Sequence, residues 1–464
     1  MNGFTLQLLH KISLPGRDRR PALWALINLT LCLALAASLV FYTHGLAQPD
    51  ATTISLSPTP ASLAGCGTVN VDIWVNDVAN LYGADVQLTF DPNLLEVVDA
   101  RPFETGVQIL PVSTFLKPDW IIRNVADNTL GTIWYATTQL NPTLPVTGTG
   151  IIATITFRAK NQGTSALHFT YTKLATRDGD PIPGTPVDGS IQTTPPAAPA
   201  LSISRLNATD ARLSWTSVGG VADYHLYRDT APYFTPADPA YQVTTGLSYD
   251  DLGVLGDTVV QHYYTVKAAC TNGFKSDISG RVGEYDWALS SASTTNYSDV
   301  SMVFQNSSIT KASHLATYIG SSVISVMHYN ATTQTFDPYI VGAPSTDFDL
   351  TVGEFLFILT NNTAPASFPM VGNVPDAGSV SFSLVSGSPP KYNYLSLPLD
   401  RSDLTLASEI VSDVGGGVVA LLAFRINTQT FDFYLPTSPS TDFSVVIGEP
   451  FVLLLTTGAP INWP

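Results

Sequence analysis

Acidic side chains that recur at a constant spacing are the first candidates for chemistry in this sequence. Two carboxylates placed on either side of a glycosidic bond could serve as general acid and as base or nucleophile. Three pairs recur 95 residues apart, and they are Asp337 and Asp432, Asp347 and Asp442, and Glu354 and Glu449. Each lies beside Thr, Gly or Phe near a predicted strand end, where acids commonly stabilise turns and caps. We therefore interpret all six as structural and predict no catalytic residue.

Other patterns that would indicate an enzyme or a metal site do not occur in the sequence. There is no Gly-x-Ser-x-Gly elbow, no His-Glu-x-x-His zinc motif and no Gly-x-x-x-x-Gly-Lys phosphate loop. The seven histidines are scattered, and none has a second ligand at metal-binding spacing. Asp178 and Asp180 could offer oxygens to calcium, but the intervening Gly179 favours a plain turn. The sequence therefore predicts a non-enzymatic protein without cofactor or metal.

A polar strand face is the strongest candidate for a binding site. Asp85, Gln87 and Thr89 alternate with apolar residues in a segment that ends at Asp-Pro-Asn. Because alternate side chains of a strand point to the same side, these three share one surface while their neighbours pack a core. That surface could bind a partner, or it could only contact water.

The composition indicates what kind of fold must position these side chains. The 464 residues suggest three or four domains, and 45% hydrophobic residues suffice for several cores. Charged residues make up only 12%, and Gly and Pro number 33 each. This balance is typical of all-β modules with many turns. The net charge of −16 would repel phosphate backbones, so we predict no nucleic-acid partner.

The N-terminal segment predicts export. Residues 22–42 carry no charge and are mostly apolar, and a helix rising ~1.5 Å per residue would span a bilayer. Basic residues precede this run, so the remainder of the chain should lie outside the cell. Gly45-Leu46-Ala47 resembles a cleavage site, which leaves open whether residues 1–47 are a signal peptide or a retained anchor. We predict an extracellular or cell-surface protein that touches the membrane only through this segment.

The three cysteines give no disulfide framework. Cys32 lies in the apolar run, while Cys66 and Cys270 fall in segments assigned to different domains. A Cys66–Cys270 bridge is therefore possible but is not expected.

The last part of the sequence contains a duplication. With a shift of 95 residues, Thr-Gln-Thr-Phe-Asp and Pro-Ser-Thr-Asp-Phe each fall on an identical copy. This predicts two homologous β-rich units at residues 283–377 and 378–464, each with one short helix, at 312–318 and 407–413.

A family resemblance covers residues 63–193. The motifs that carry it are, in order, VNVDIWVNDVANLYGADVQLTFDPNLLEVVDA, GTIWYATT, GTGIIATITFRAKNQGTSALHF and DGDPIPGTPVDGSI. This segment resembles a cohesin module, and the resemblance implies a nine-stranded jelly-roll sandwich that binds a dockerin-bearing protein in polysaccharide degradation. The same fold occurs in cellulose-binding modules, so direct polysaccharide binding is an alternative. A passive structural or adhesive surface role is a third.

The resemblance also implies which residues contact a partner. Asp85 occupies the position of the aspartate that accepts hydrogen bonds from the dockerin helix. Gly83 stands where the family often has Asn, and Thr137 stands where it has Glu. Gln87 and Thr89 share the strand face with Asp85. We therefore predict a partner face made of these five residues.

Exposed aromatic side chains would instead indicate stacking on sugar rings. Trp120 follows Lys-Pro-Asp in a predicted loop, and Trp74 and Trp134 lie beside or out of phase with apolar neighbours. These three are the predicted carbohydrate contacts.

The remaining segments complete an all-β architecture of tandem sandwiches after an N-terminal hydrophobic helix. Residues 199–282 resemble a fibronectin type III module, with Trp215 as a buried tryptophan and Tyr264 at the position of a tyrosine corner. Residues 48–62 and 194–198 are rich in Pro, Thr, Ser and Ala and are predicted linkers.

Overall fold

The computed structural model describes residues 51–291, 296–343, 347–364, 366–437, 442–456 and 461–464. The predicted hydrophobic helix at residues 22–42 and Cys32 lie outside these ranges. Within these ranges, no helix has the length and apolar character needed to cross a membrane. Apart from two short helices, the regular secondary structure of the described residues is β-strand, which confirms the predicted all-β fold class.

The first module is a sandwich of two sheets. Its strands are β1 (Thr53–Ser57), β2 (Ala61–Ala64), β3 (Thr68–Leu81), β4 (Gly83–Thr89), β5 (Leu95–Val97), β6 (Leu110–Pro111), β7 (Trp120–Asp127), β8 (Thr132–Thr138), β9 (Val146–Ala159), β10 (Gly163–Ala175), β11 (Pro181–Ile182), β12 (Thr185–Val187) and β13 (Gly189–Thr194). One sheet has the order β12-β1-β3-β9-β5, with β6 on β9, and the other has the order β2-β13-β10-β4-β8-β7, with β11 on β10. Period-two alternation in β4 buries Val86 and Leu88 between the sheets.

The predicted linker at residues 48–62 is wrong for most of its length. Strand β1 pairs with β3, and β2 pairs with β13, so both belong to the sandwich. Ile54, Leu56 and Ala61 are buried in its core. Pro58, Thr59 and Pro60 lie in the turn between the two strands and conceal the short alternating pattern on either side of it.

The second module packs two further sheets. Its strands are β14 (Leu201–Arg205), β15 (Ala211–Trp215), β16 (Asp223–Asp229), β17 (Gln242–Thr244), β18 (Ser248–Asp251) and β19 (Tyr263–Ala269). Trp215 and Leu226 are buried in the core between them. The Tyr264 hydroxyl donates a hydrogen bond to Asp251 Oδ2 at 2.8 Å, which ties β19 to the end of β18.

Strand β20 (Val282–Leu289) joins this module to the C-terminal part. It pairs with β19 on one side and with β25 (Ala366–Asn373) on the other. The second module therefore continues without a break into the first repeat, in the sheet β17-β16-β19-β20-β25. The predicted boundary after residue 282 coincides with the start of this shared strand.

The two C-terminal units repeat one arrangement of elements. The first adds β21 (Asn296–Ser301), α1 (Ala312–Ile319), β22 (Val323–Asn330), β23 (Thr335–Ile340) and β24 (Phe355–Thr360); the second has β26 (Phe382–Leu384), β27 (Lys391–Ser396), α2 (Ala407–Val414), β28 (Val418–Arg425), β29 (Thr430–Tyr434), β30 (Pro450–Leu455) and β31 (Ile461–Trp463). The four-stranded sheets β21-β24-β22-β23 and β27-β30-β28-β29 correspond strand for strand. Each unit has one short helix, and that helix packs against one side of the unit's sheet.

Two of the repeated acids stabilise these helices. Asp347 accepts hydrogen bonds from the backbone N–H of Ser313 at 3.0 Å and from its hydroxyl at 2.7 Å. Asp442 makes the same pair of contacts with Ser408, at 3.0 Å and 2.6 Å. Because the first N–H groups of a helix have no partner within it, a carboxylate placed there acts as an N-cap.

The repeated glutamates close turns. Glu354 Oε2 accepts a hydrogen bond from the backbone N–H of Thr351 at 2.8 Å, and Glu449 Oε2 accepts one from Val446 at 3.0 Å. Each turn leads directly into an apolar strand, β24 or β30. The helix and turn contacts account structurally for four of the six recurring acids.

A disulfide links the first and second modules. Cys66 and Cys270 are bonded, with their Cα atoms 5.3 Å apart. The expectation that they stay unpaired is therefore wrong. The loop after β19 brings Cys270 and Phe274 onto the core of the first module, and Asn272 Nδ2 donates to the carbonyl of Ala159 at 2.8 Å. The sequence did not reveal this contact, because the two cysteines lie 204 residues apart in different predicted domains.

Candidate functional site

The outer face of the sheet β10-β4-β8-β7 gathers most of the predicted site residues. Its strands are antiparallel neighbours, so residues that pair in register lie in rows across the face. Three rows read Lys173–Asp85–Ala136–Arg123, Tyr171–Gln87–Trp134–Val125 and His168–Thr89–Thr132–Asp127. Asp85, Gln87 and Thr89 therefore lie on one outward surface.

Asp85 is held in place by a tryptophan on the neighbouring strand. Trp134 Nε1 donates a hydrogen bond to Asp85 Oδ1 at 2.9 Å, in a diagonal contact between β8 and β4. The indole ring of Trp134 is 40% exposed, and the guanidinium of Arg123 lies over it at 5.2 Å from the ring centroid. This arrangement fixes the direction of the carboxylate while leaving its second oxygen as a possible acceptor for a partner.

Exposed apolar side chains surround this polar centre. Trp120 is 59% exposed, and Ile122 and Tyr171 are also exposed. A shallow depression of about 300 Å³ lies next to Trp134, and Gln87, Arg123, Val125, Asp127 and Thr170 are among its lining residues. A half-buried aromatic side chain beside a few hydrogen-bonding groups is the usual anatomy of a protein contact surface.

Thr137 does not lie on this face. Its side chain is only 2% exposed, and its hydroxyl donates to the backbone carbonyl of Trp120 at 3.1 Å. The reason is the alternation of β8, in which Trp134 and Ala136 point outward while Tyr135 and Thr137 point into the sandwich. Counting in steps of two from Trp134 would have identified Ala136 as the residue beside Asp85. The prediction that Thr137 belongs to the partner face is therefore wrong.

Gly83 lies at one end of the face. It pairs with Thr138 on β8 and with Ala175 on β10. Gly83 has no side chain, and a Cβ at this position would lie 3.4 Å from Thr138 Oγ1, in ordinary van der Waals contact. Gly83 can therefore offer a flat, low edge of the surface but no polar contact from a side chain.

The three predicted carbohydrate contacts are not brought together. Trp74 lies on β3, in the opposite sheet, and its indole N–H is buried without a hydrogen-bond partner among the described residues. Trp120 and Trp134 share the outer face, but the row containing Arg123 separates them. Trp74 is therefore excluded from any common aromatic platform.

The sequence did not predict that side chains of β7 and β10 form part of this face. Arg123, Val125 and Tyr171 complete the two rows that cross the centre of the face. Bulges between Ile121 and Arg123 and beside Tyr171 shift the register of both strands. Each bulge breaks the period-two pattern that would have revealed which side chains point outward.

The loop that leads into β7 is ordered by an acid. Hydrogen bonds from Lys117, from the backbone N–H of Leu140 and from Thr143 lower the pKa of Asp119 to about 2. Asp119 therefore stays ionised and ties the segment before Trp120 to the loop after β8. Among the residues described, no cluster of three His, Cys, Asp or Glu side chains is arranged to hold a metal ion.

Comparison with known proteins identifies the first module. A family model described as the cohesin domain matches residues 63–193. A search of curated proteins found no match.

Solved structures with similarity to the chain include three cohesin modules. A non-cellulosomal cohesin from the archaeon Archaeoglobus fulgidus is 18% identical, covers 31% of this chain and 91% of its own, and has a TM-score of 0.25. A type I cohesin–dockerin complex from Clostridium thermocellum is 13% identical, with coverages of 31% and 100% and a TM-score of 0.26. A type II cohesin domain from the cellulosome of Acetivibrio cellulolyticus is 15% identical, with coverages of 30% and 95% and a TM-score of 0.27.

Proposed function

Because residues 63–193 form a cohesin domain, we propose that this protein binds a dockerin-bearing protein through the outer face of β10, β4, β8 and β7. The observation that carries the proposal is Asp85, which the sequence places at the family's acceptor position and which Trp134 holds outward by a 2.9 Å hydrogen bond. The proposed role is recognition without catalysis, in the degradation of polysaccharides outside the cell.

The surroundings of Asp85 suit a protein partner. Binding free energy at such surfaces is concentrated in a few aromatic and arginine side chains near the centre, ringed by contacts that exclude water. Trp134 and Arg123 occupy the centre here, and Trp120, Ile122 and Tyr171 lie around them. A helix laid across the face would cover the aromatic ring and meet the second oxygen of Asp85.

The disulfide supports an extracellular setting. Such bonds form and persist in oxidising compartments and are rare in the cytosol. Cys66–Cys270 joins two modules across 204 residues of sequence, so it is a structural bond rather than a local pair. Export is also what the apolar segment at residues 22–42 predicts.

Replacing Asp85 with alanine is expected to weaken dockerin binding by about 30-fold or more, since loss of a central contact costs about 2 kcal/mol. Isothermal titration with dockerins encoded in the same genome measures this affinity. Trp134→Phe keeps an aromatic ring but removes the donor to Asp85, so a smaller loss is expected.

Asp72→Ala is the matched control. Asp72 points outward from β3 in the opposite sheet, where it accepts a hydrogen bond from Thr154 at 2.5 Å. Its replacement should leave dockerin affinity unchanged. The proposal fails if no dockerin binds, or if the Asp85 and Asp72 variants behave alike.

A second candidate function is direct binding of a polysaccharide at the depression beside Trp134. The exposed indole together with Gln87, Arg123 and Asp127 offers a stacking surface next to groups that can bind sugar hydroxyls. Affinity electrophoresis in gels containing cellulose derivatives or xylan tests it. Retarded migration that Trp134→Ala abolishes would support this function, and unchanged mobility of the natural protein would exclude it. If neither partner class binds, a passive surface role remains.

A further inference from the structure

The two C-terminal units contact each other through reciprocal glutamines. Gln334 lies in the first unit, where its Nε2 donates to the carbonyl of Tyr392 at 3.0 Å and its Oε1 accepts from the N–H of Tyr392 at 2.9 Å. Gln429, the equivalent residue of the second unit, makes the same pair of bonds with Tyr297, at 2.9 Å and 3.1 Å. Tyr297 and Tyr392 are themselves equivalent positions in the duplication.

A second pair of contacts is related by the duplication in the same way. Ser301 of the first unit donates its hydroxyl to the carbonyl of Gly448 at 2.7 Å. Ser396 of the second unit donates to the carbonyl of Gly353 at 3.0 Å. Each unit therefore presents the same surface to the other, as in a two-fold isologous interface.

Aromatic side chains fill the space between the two sheets. Phe357 of the first unit contacts Phe424 of the second, with ring centroids 5.1 Å apart. Phe336 contacts Tyr394 at 5.2 Å, and Phe355 contacts the same ring at 5.0 Å. One face of each four-stranded sheet is thus buried against its counterpart, opposite the face that carries the helix.

The glutamines meet backbone groups that a sheet would otherwise leave open. Strands β21 and β27 are edge strands of their sheets, and Tyr297 and Tyr392 lie on them. An edge strand exposes unpaired N–H and C=O groups that can recruit another strand. A glutamine amide has two N–H donors and a carbonyl acceptor, so one N–H and the carbonyl can satisfy both backbone groups of one residue.

We propose that the C-terminal units form a self-recognition module in which Gln334 and Gln429 cap each other's sheet edge. The partner that this surface fits is another copy of the same unit, and in this chain the second unit supplies it. The repeated Thr-Gln-Thr-Phe-Asp segment is then a pairing element rather than a ligand-binding motif. Both glutamines have a positive φ, 63° and 56°, so the two turns share one backbone conformation.

Hydrogen exchange of the full-length protein tests this inference. In Gln334→Asn, asparagine tolerates positive φ but is one methylene shorter, so it keeps the turn and loses its reach. Exchange of the Tyr392 amide should rise about tenfold, as expected for loss of one hydrogen bond, while that of Tyr297 stays constant. Gln429→Asn should give the mirror result.

Two further variants make the outcome decisive. Gln242→Asn is the matched control, because the Gln242 amide donates to the nearby carbonyl of Val243 and to no other described residue, and neither tyrosine amide should respond. Ser396→Ala removes the donor to the Gly353 carbonyl, which is an independent contact of the same interface, and should lower the melting temperature of the C-terminal units. Each glutamine also braces its own turn, since Gln334 Nε2 donates to the carbonyl of Ala331 at 2.6 Å. Faster exchange confined to the mutated turn, with the opposite unit unchanged, would overturn the proposal.

Discussion

Replacing Cys66 and Cys270 with serine is expected to lower the free energy of unfolding of the modules that they join by about 5 kcal/mol. The bond closes a segment of 204 residues, and a crosslink across a long segment removes much conformational entropy from the unfolded chain. Denaturant titration of the oxidised protein and the double serine variant measures the difference. Addition of a reductant to the natural protein should reproduce the effect of the variant.

Cys32→Ser is the control for this experiment, since it removes a thiol and leaves both bridge cysteines in place. It should unfold like the natural protein. Equal stability of the natural protein and the double variant, with and without reductant, would contradict this prediction and show that noncovalent contacts, such as those of Asn272 and Phe274, hold the modules together.

Stability is also expected to fall as pH rises, because of a buried carboxyl at the start of the C-terminal part. Glu284 is fully buried on β20, and burial together with the neighbouring carboxylate of Asp286 raises its pKa to about 9. The folded protein therefore binds a proton that the unfolded chain releases near pH 4.5. Each pH unit between these values should cost about 1.4 kcal/mol of stability.

Other ionisable groups also affect how stability depends on pH. Burial also raises the pKa of Asp286, and it raises that of Asp299 to about 7, which adds to the loss at higher pH. His262 Nδ1 lies 2.8 Å from Glu284 Oε1, and burial and the charge of Arg228 lower the pKa of its imidazole. Protonation of the unfolded chain at His262 therefore reduces stability as pH falls below about 6.5.

Glu284→Gln isolates the contribution of this one group. Glutamine has the shape of the protonated acid and stays neutral, so the variant should gain melting temperature relative to the natural protein as pH increases from 5 toward 9. Thermal denaturation at several pH values measures the gap between the two proteins. A gap that does not change with pH would contradict a protonated Glu284.

The alternation of side chains was sufficient to predict most of the sandwich architecture. In β4, Val86 and Leu88 alternate with Asp85 and Gln87, and the structure buries the first pair and leaves the second partly exposed. The duplication likewise predicted the repeated strands and the two short helices. These features depend on the local pattern of apolar and polar residues, which is visible in the sequence itself.

The features that were not predicted depend on contacts between segments that are distant in sequence. Pairing of β1 with β3 could not be inferred from residues 48–62, because turn-forming prolines dominate that stretch. The disulfide depends on how the second module is placed against the first. Arg123 joins the partner face only because a bulge in β7 changes which side chains point outward.

Strand β20 limits how this chain could be rearranged by genetic recombination. It pairs with β19 of one module and with β25 of the next, so a crossover on either side would leave a sheet without its strand. The sheets of the cohesin domain, in contrast, close within residues 53–194. That domain could be exchanged as a block if the loss of one covalent bond were tolerated. The second module and the paired units should instead be inherited together, as a single exchangeable segment.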